Sequence, residues 1–232
     1  MKKTIRLMAM LAVGAALLTT ACGKDENTND PTPDTPTVAW VDLGLPSGLL
    51  WAECNLGAAK PEEYGDYYAW GETSPKEVYT WSTYKYCTVD AEGALATLTK
   101  YNTSSDYGTV DNQTTLHAPD DAATAKLGNG ARMPTADEWR ELIANTTSEW
   151  TQENGVYGRK LTAPNGKSLF LPAAGINSSS DYSGSNGFYC SSSLNADRPG
   201  LARIFYFHSE DQRMDGRHRF YGISVRAVCP AL

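Results

Sequence analysis

RMPTADEWREL (Arg132–Leu142) carries the sharpest element boundary in the chain. Thr135 followed three residues later by Glu138 has the spacing of a capping box, in which each side chain satisfies a backbone N–H the new helix leaves open. Trp139, Leu142 and Ile143 then fall at i, i+3 and i+4 on one face, so the segment predicts an amphipathic helix laid on a core. Upstream, PDDAATAKLG predicts a second helix. Pro119, Asp120 and Asp121 suit the positive helix start, and Gly128 suits its end.

Around these two helices the sequence reads as short strands, turns and aromatics. WVDLGLPSGLLWAECNLG (Trp40–Gly57) has apolar runs on either side of LPSG and predicts a hairpin. PEEYGDYYAWGETSPKEVYTWSTYKYC has no clear period and predicts an ordered loop pinned by buried rings whose polar tips find partners. RKLTAPNGKSLFLPAAG (Arg159–Gly175) predicts two strands about Asn165-Gly166, which reads as the strongest short hairpin signal in the chain. LARIFYFHS and FYGISVRAV predict two late strands, with EDQRMDGRHR as a polar turn between them. No internal repeat is present.

The N-terminal end has a different character. Lys2, Lys3 and Arg6 precede a short apolar run, Leu7–Leu18, too short to stay in a bilayer as a spanning helix, and small residues lead into Cys22. TTAC resembles a bacterial lipobox, with Thr19 where Leu is usual. Residues 1–21 are therefore expected to be a lipoprotein signal peptide and Cys22 the lipidated residue, the alternative being ordinary cleavage near Ala21. Two or three acyl chains hold a protein stably where one does not. GKDE (Gly23–Glu26) resembles the export signal that sends Bacteroidetes lipoproteins to the outer face of the outer membrane. Residues 22–37 lack large apolar side chains, and with Pro31, Pro33 and Pro36 they read as a disordered tether.

Residues 38–232 have single-domain length. Without Lys2, Lys3 and Arg6, the 20 basic residues become 17 against 27 acidic, a net of about −10. That balance argues against nucleic acid as a partner, because a phosphate backbone demands a Lys/Arg surface. Cys54, Cys87, Cys190 and Cys229 allow three pairings that sequence does not rank, and the absence of CxxC argues against zinc.

VDLGLPSGLLWAECNLGAAKPEEYGDYYAWGET, DDAATAKLGNGARMPTADEWREL, NGKSLFLPAAG, GFYCSSS and YGISVRAV together resemble Bacteroidetes surface lipoproteins with a Fibrobacter major paralogous domain. That group is similar to the C-type lectin-like fold and to the formylglycine-generating enzyme. The resemblance implies an α+β domain of two helices, a twisted antiparallel sheet and long ordered loops, with the termini close together. RMPTADEWREL resembles the R-L-P-T-x-x-E-W-E element of the formylglycine-generating family. The likeness implies structural roles for Arg132, Thr135, Glu138 and Trp139. Cys190 stands where the group usually has Trp.

Fold does not dictate function. The three histidines, His117, His208 and His218, sit in no HxxH or HExxH pattern, and there is no GxSxG elbow. No close cysteine pair near the C-terminus matches formylglycine-generating chemistry, so no enzyme is expected. Calcium-dependent sugar binding is disfavoured too: APNG (Ala163–Gly166) has no leading carboxylate and no Trp-Asn-Asp follows, leaving Asp106 and Asp111 in a polar loop. No cofactor or metal is expected.

What remains is Ile176–Tyr221, rich in Ser, Asn, Gly, Asp and Tyr, the composition of adaptable binding loops. Strand alternation puts Ile204, Tyr206 and His208 on one face and Arg203, Phe205 and Phe207 on the other. The candidate ligand-binding residues are Tyr182, Phe188, Tyr189, Asn195, Arg198, Arg203, Tyr206, His208, Arg217, His218 and Tyr221. The competing reading is a solvated Ser/Gly loop over a core. The expected function is calcium-independent recognition of an extracellular protein or glycan by a lipid-anchored surface protein. Alternatives are a structural envelope paralogue without ligand and a variable protein of a diversity-generating retroelement. In favour of the last, Trp, Lys, Glu, Gln and Met are all missing from Ser168–Ser209.

Overall fold

The computed structural model describes residues 38–178 and 181–231. The export signal, Cys22 and the tether lie outside the described residues. Both predicted helices form. α1 (Ala122–Leu127) starts at Asp121, whose carboxylate accepts from the Thr124 N–H at 2.9 Å, and stops at Gly128, where φ is +60°. α2 (Ala136–Ala144) has the predicted capping box, with Thr135 Oγ1 accepting from Glu138 N and Glu138 Oε2 accepting from Thr135 N at 2.7 Å. Trp139 and Leu142 are completely buried.

The strands are β1 (Trp40–Asp42), β2 (Leu49–Ala52), β3 (Tyr67–Tyr68), β4 (Cys87–Val89), β5 (Leu95–Leu98), β6 (Thr147–Glu153), β7 (Val156–Thr162), β8 (Ser168–Pro172), β9 (Gly187–Leu194), β10 (Leu201–Phe207), β11 (Gln212–His218), β12 (Ile223–Ser224) and β13 (Val228–Pro230). They make a five-stranded sheet in the order β11-β10-β9-β12-β3, two three-stranded sheets, β1-β2-β13 and β6-β7-β8, and the pair β4-β5. Every ladder but β12–β9 is antiparallel. The chain is thus α+β. The first and last strands flank β2, so the ends of the domain meet on one strand.

The five-stranded sheet separates two hydrophobic clusters. Ala202 and Ile204 of β10, with Phe188 and Cys190 of β9, face a cluster that contains Trp70 and Tyr101. Phe205, Phe207 and Tyr189 face the other, where Trp139 and Trp51 pack with ring centroids 4.8 Å apart. A strand covered on both faces buries consecutive residues, and β9 does so from Gly187 to Ser192. α2 is fastened to this sheet by Trp139 Nε1, which donates to the Cys190 carbonyl at 3.2 Å, while the residues leading into it are tied to β13 of the β1-β2-β13 sheet by the Arg132–Val228 bridge. Arg132 grips Glu138 through two bonds of 2.7 and 2.6 Å.

Two strand expectations are corrected. EDQRMDGRHR is not a turn: Gln212–His218 is strand β11, paired with β10 along its full length. It reads as polar because an edge strand needs no second apolar neighbour. FYGISVRAV is not one strand but two short ones, β12 and β13, in different sheets. The two-residue Asn-Gly hairpin turn lies at Asn154-Gly155, with φ of +49° and +84°, joining β6 to β7. The hairpin predicted about Asn165-Gly166 also forms, β7 pairing with β8 across a longer loop, residues 163–167, in which the Gly166 N–H donates to Ala163 O at 3.0 Å and Gly166 takes the left-handed position after the turn.

The aromatic loop is ordered as its rings predict. Tyr68, Trp70, Tyr79, Tyr84 and Tyr86 are buried, and Tyr84 Oη donates to the Trp70 carbonyl at 2.7 Å. Two arginines are wholly buried without a carboxylate. Arg219 donates to Tyr84 Oη and to the carbonyls of Lys100, Tyr101 and Pro199; Arg226 donates to Asn55 Oδ1 and to the carbonyls of Ala52, Glu53 and Phe170.

Candidate functional site

The β10 alternation that sends Phe205 and Phe207 inward turns Tyr206 the other way. Phe188, directly opposite on β9, lies with its ring 5.0 Å from that of Tyr206. Toward the β11 edge the described residues leave this face open, and a cavity of about 910 Å³ lies there. Tyr206 and Phe188 form its floor. Trp81 and Leu95 stand on one side, the Ser104–Tyr107 turn and the Asp197–Leu201 loop on others, and Tyr182 and Tyr221 complete the rim.

Backbone geometry fixes these groups. Tyr182 is about half exposed and sits at φ +57°, a left-handed conformation rare for an aromatic residue. Its carbonyl accepts from Ser185 N and Asn186 N, which closes the turn, and Asn186 Nδ2 donates to Tyr206 Oη at 2.7 Å. Arg217 lies over the rings of Phe188 and Tyr206, 5.3 and 5.5 Å from their centroids, and donates to Asp215 Oδ2 at 2.8 Å. Arg198 is exposed, and its guanidinium has no hydrogen bond or ion pair with any described residue. His218 packs against Trp81, Phe220 and Tyr221. That packing, and then the charges of Arg198 and Arg217, hold its imidazole below the usual histidine value.

Seven of the eleven candidate residues come together here: Tyr182, Phe188, Arg198, Tyr206, Arg217, His218 and Tyr221. Four do not. Tyr189 is fully buried on the opposite face of the sheet, 5.8 Å from Trp139, with its hydroxyl donating to Pro172 O. Asn195 is buried beneath the loop that carries Arg198, and its Oδ1 has no partner among the described residues. Arg203 leans toward Asp197 at 4.0 Å, off the cavity wall. His208 sits beyond the end of β10, its ring 5.8 Å from that of Tyr206, and its Nδ1 accepts from Glu210 N. Trp81, Tyr107 and Asp106 line the cavity without being among the candidates. Their signal is present in the sequence: aromatic residues set in polar runs, YTWSTY and SSDYGT, where nothing apolar nearby explains them.

The carboxylates have other work. Asp111 accepts from the backbone N–H groups of Tyr101, Asn102 and Gln113 at 2.7 to 3.0 Å, so it holds a loop. Asp121 caps α1 as the sequence predicts, whereas Asp120 does not. It is buried and accepts from Tyr86 Oη, Tyr101 Oη and Lys100 Nζ. Burial pushes its carboxyl up, but those hydrogen bonds outweigh burial and hold it well below the usual range. Among the described residues no three of His, Cys, Asp and Glu are placed to hold a metal ion, and no thiol lines the cavity. Cys54, Cys87, Cys190 and Cys229 are free, and burial pushes the Cys190 thiol up to about 12. No helix among the described residues is long and apolar enough to cross a membrane. Scanned against known proteins, the chain matches no family model, no curated protein and no solved structure.

Proposed function

We propose that this chain is a lipid-anchored surface protein whose C-type lectin-like domain holds an extracellular protein or glycan in the aromatic cavity, without calcium and without catalysis. One observation carries the reading. A concave site of about 910 Å³ is lined by five aromatic rings, the exposed Tyr182 and the partly buried Trp81, Tyr107, Tyr206 and Tyr221, together with guanidinium and carboxylate groups. Rings give large contact area at low entropic cost and polar tips orient what binds, the usual make-up of a recognition pocket. Tyr182 adds weight, because a half-exposed aromatic residue in a left-handed conformation carries strain that packing does not explain. The lectin-like assignment is supported by two helices, a mostly antiparallel sheet, and first and last strands that flank β2.

The test is capture by the immobilised protein of host mucin glycans, bacterial surface extracts and serum proteins, with Trp81→Ala, Tyr182→Ala and Tyr221→Ala compared singly. Each is expected to lose most capture; the exposed Tyr182→Ala should keep the parent's denaturation midpoint, while Trp81→Ala and Tyr221→Ala, which also remove packing against the core, are compared under conditions where they remain folded. Capture that survives all three would overturn the site. External protease applied to intact cells tests the placement: a surface lipoprotein is shaved, a periplasmic one is not.

A further inference from the structure

We propose that the cavity takes an acidic saccharide, and that Arg198, with His218 beside it, holds the sugar's carboxylate. The inference rests on the recognition reading above and narrows it. Of the cations on the cavity wall, Arg217 has its counter-ion in Asp215, while Arg198 has none among the described residues. Arg198 and Arg217 bring two guanidiniums to this corner of the wall, one of them offset by Asp215, and burial first, then these two charges, disfavour a proton on the neighbouring His218. A bound carboxylate would relieve that repulsion and gain charge-assisted hydrogen bonds from the guanidinium fork. The facing acids do not neutralise the corner. Asp197 is aimed at Arg203 and almost wholly in solvent, and Asp106 makes no ion pair with Arg198.

The rest of the wall suits a sugar. Ring faces of Trp81 and Tyr221 can lie against C–H faces of a pyranose, while Trp81 Nε1 and the hydroxyls of Tyr107, Tyr182 and Tyr221, all without partners among the described residues, can meet its hydroxyls. An acidic peptide fits less well. It would need a strand edge for its backbone, and the nearest edge, β11, is guarded by the Arg213–Asp215–Arg217 pairs.

Linkage gives the pH dependence. Burial and the two guanidiniums disfavour imidazole protonation in the free site, and a carboxylate in the corner would offset the guanidiniums, so binding favours uptake of a proton and tightens as pH falls through the histidine range.

Glucose and glucuronate differ only in the carboxylate and are the probes. Titration calorimetry at pH 6 and pH 8 is expected to give glucuronate about a tenfold advantage at the lower pH, shrinking at the higher. Arg198→Gln should erase the advantage and leave glucose unchanged. His218→Gln should erase its pH dependence, and in the parent the His218 ring proton resonances should titrate at higher pH once glucuronate is bound. Equal affinities, or an advantage that survives Arg198→Gln, would overturn the proposal. So would failure of both sugars to bind; if the immobilised protein still captured a polypeptide through the cavity, the broader recognition reading would stand while this one fell.

Discussion

Glu138 shows how much one side chain can settle. Its two oxygens take the Arg132 guanidinium at 2.7 and 2.6 Å, and one of them also takes the Thr135 N–H at 2.7 Å. Helix cap and sheet attachment therefore share one carboxylate. Glu138→Ala is expected to lower stability by about 2 kcal/mol, since it strips a half-buried guanidinium of its partner and reopens a helix N–H. For a domain of this size that is a fall in melting temperature of about 4–8 °C. Thr135→Ala removes only the cap and should cost about 1 kcal/mol. Should the two variants melt alike, the carboxylate would have no role beyond capping. The thiols offer a second check at this scale. Burial raises all four, Cys190 up to about 12, so a thiolate-selective reagent at pH 8 should leave Cys190 unmodified until the fold opens. Rapid native labelling of Cys190 would contradict its place on the covered face of β9.

At the scale of elements, glycine positions separate two kinds of constraint. Gly155, in the β6–β7 turn, has φ of +84° and no atom within 4 Å of where a Cβ would stand. Gly155→Ala therefore tests backbone strain alone and should cost about 1 kcal/mol. At Gly187, the first residue of β9, an added Cβ would lie 2.0 Å from the Phe207 ring. Gly187→Ala must displace a core aromatic and should cost about 1–3 kcal/mol, the larger of the two in urea denaturation. Elements of this kind also show where sequence reading reaches its limit. Caps are local chemistry, so both helices can be read from Asp121, Thr135 and Glu138. Register and partnership are not local. β11 presents Arg213, Asp215 and Arg217 and lacks an apolar signature because it pairs on one side only. The Ser-rich stretch of β9 looks like loop because Ser191 and Ser192, on opposite faces, are buried beside backbone groups they bond, Ser191 Oγ donating to Arg203 O at 2.7 Å. The same limit divides the candidate site. Composition does not tell neighbours in a strand apart, so it groups Phe188 with Tyr189, although alternation sends one to the cavity floor and the other to the opposite core. Trp81 and Tyr107 show in the sequence as rings set in polar runs, but their meeting with β10 is made only by the fold.

For the molecule as a whole, acid and base should attack by different routes. The carboxylates of Asp111, Asp120 and Glu138 are held below their ordinary values; burial opposes this in each, and hydrogen bonds from the backbone, from tyrosines and from Lys100 or Arg132 prevail. A carboxylate depressed on folding adds stability above its unfolded value, near 4, and loses it as pH falls through the folded one. Asp121 runs against them, since burial raises it, so it regains stability as acid protonates it. With Glu62, which its hydrogen bonds also depress, four lowered groups against one raised group leave a net loss below about pH 4.5. At the alkaline end burial raises Tyr67 and Tyr189 to about 12, and Tyr68 and Tyr84 rise further for the same reason. A phenol raised on folding stabilises below its unfolded value, near 10, and that contribution is lost as pH climbs past it. Urea midpoints should therefore be highest from about pH 7 to 9 and fall on both sides, the first acid loss coming from His218, whose depressed imidazole costs stability as pH drops below its unfolded value, near 6.5. Asp120→Asn separates the causes: it should lower the midpoint at pH 7, where the carboxylate accepts from two tyrosines and a lysine, flatten the acid arm, and soften without abolishing the alkaline arm, because the same carboxylate raises Lys100, Tyr86 and Tyr101 but not the other buried phenols. An acid arm equally steep in the variant would move the origin of acid sensitivity away from the Asp120 cluster to the general charge of the chain.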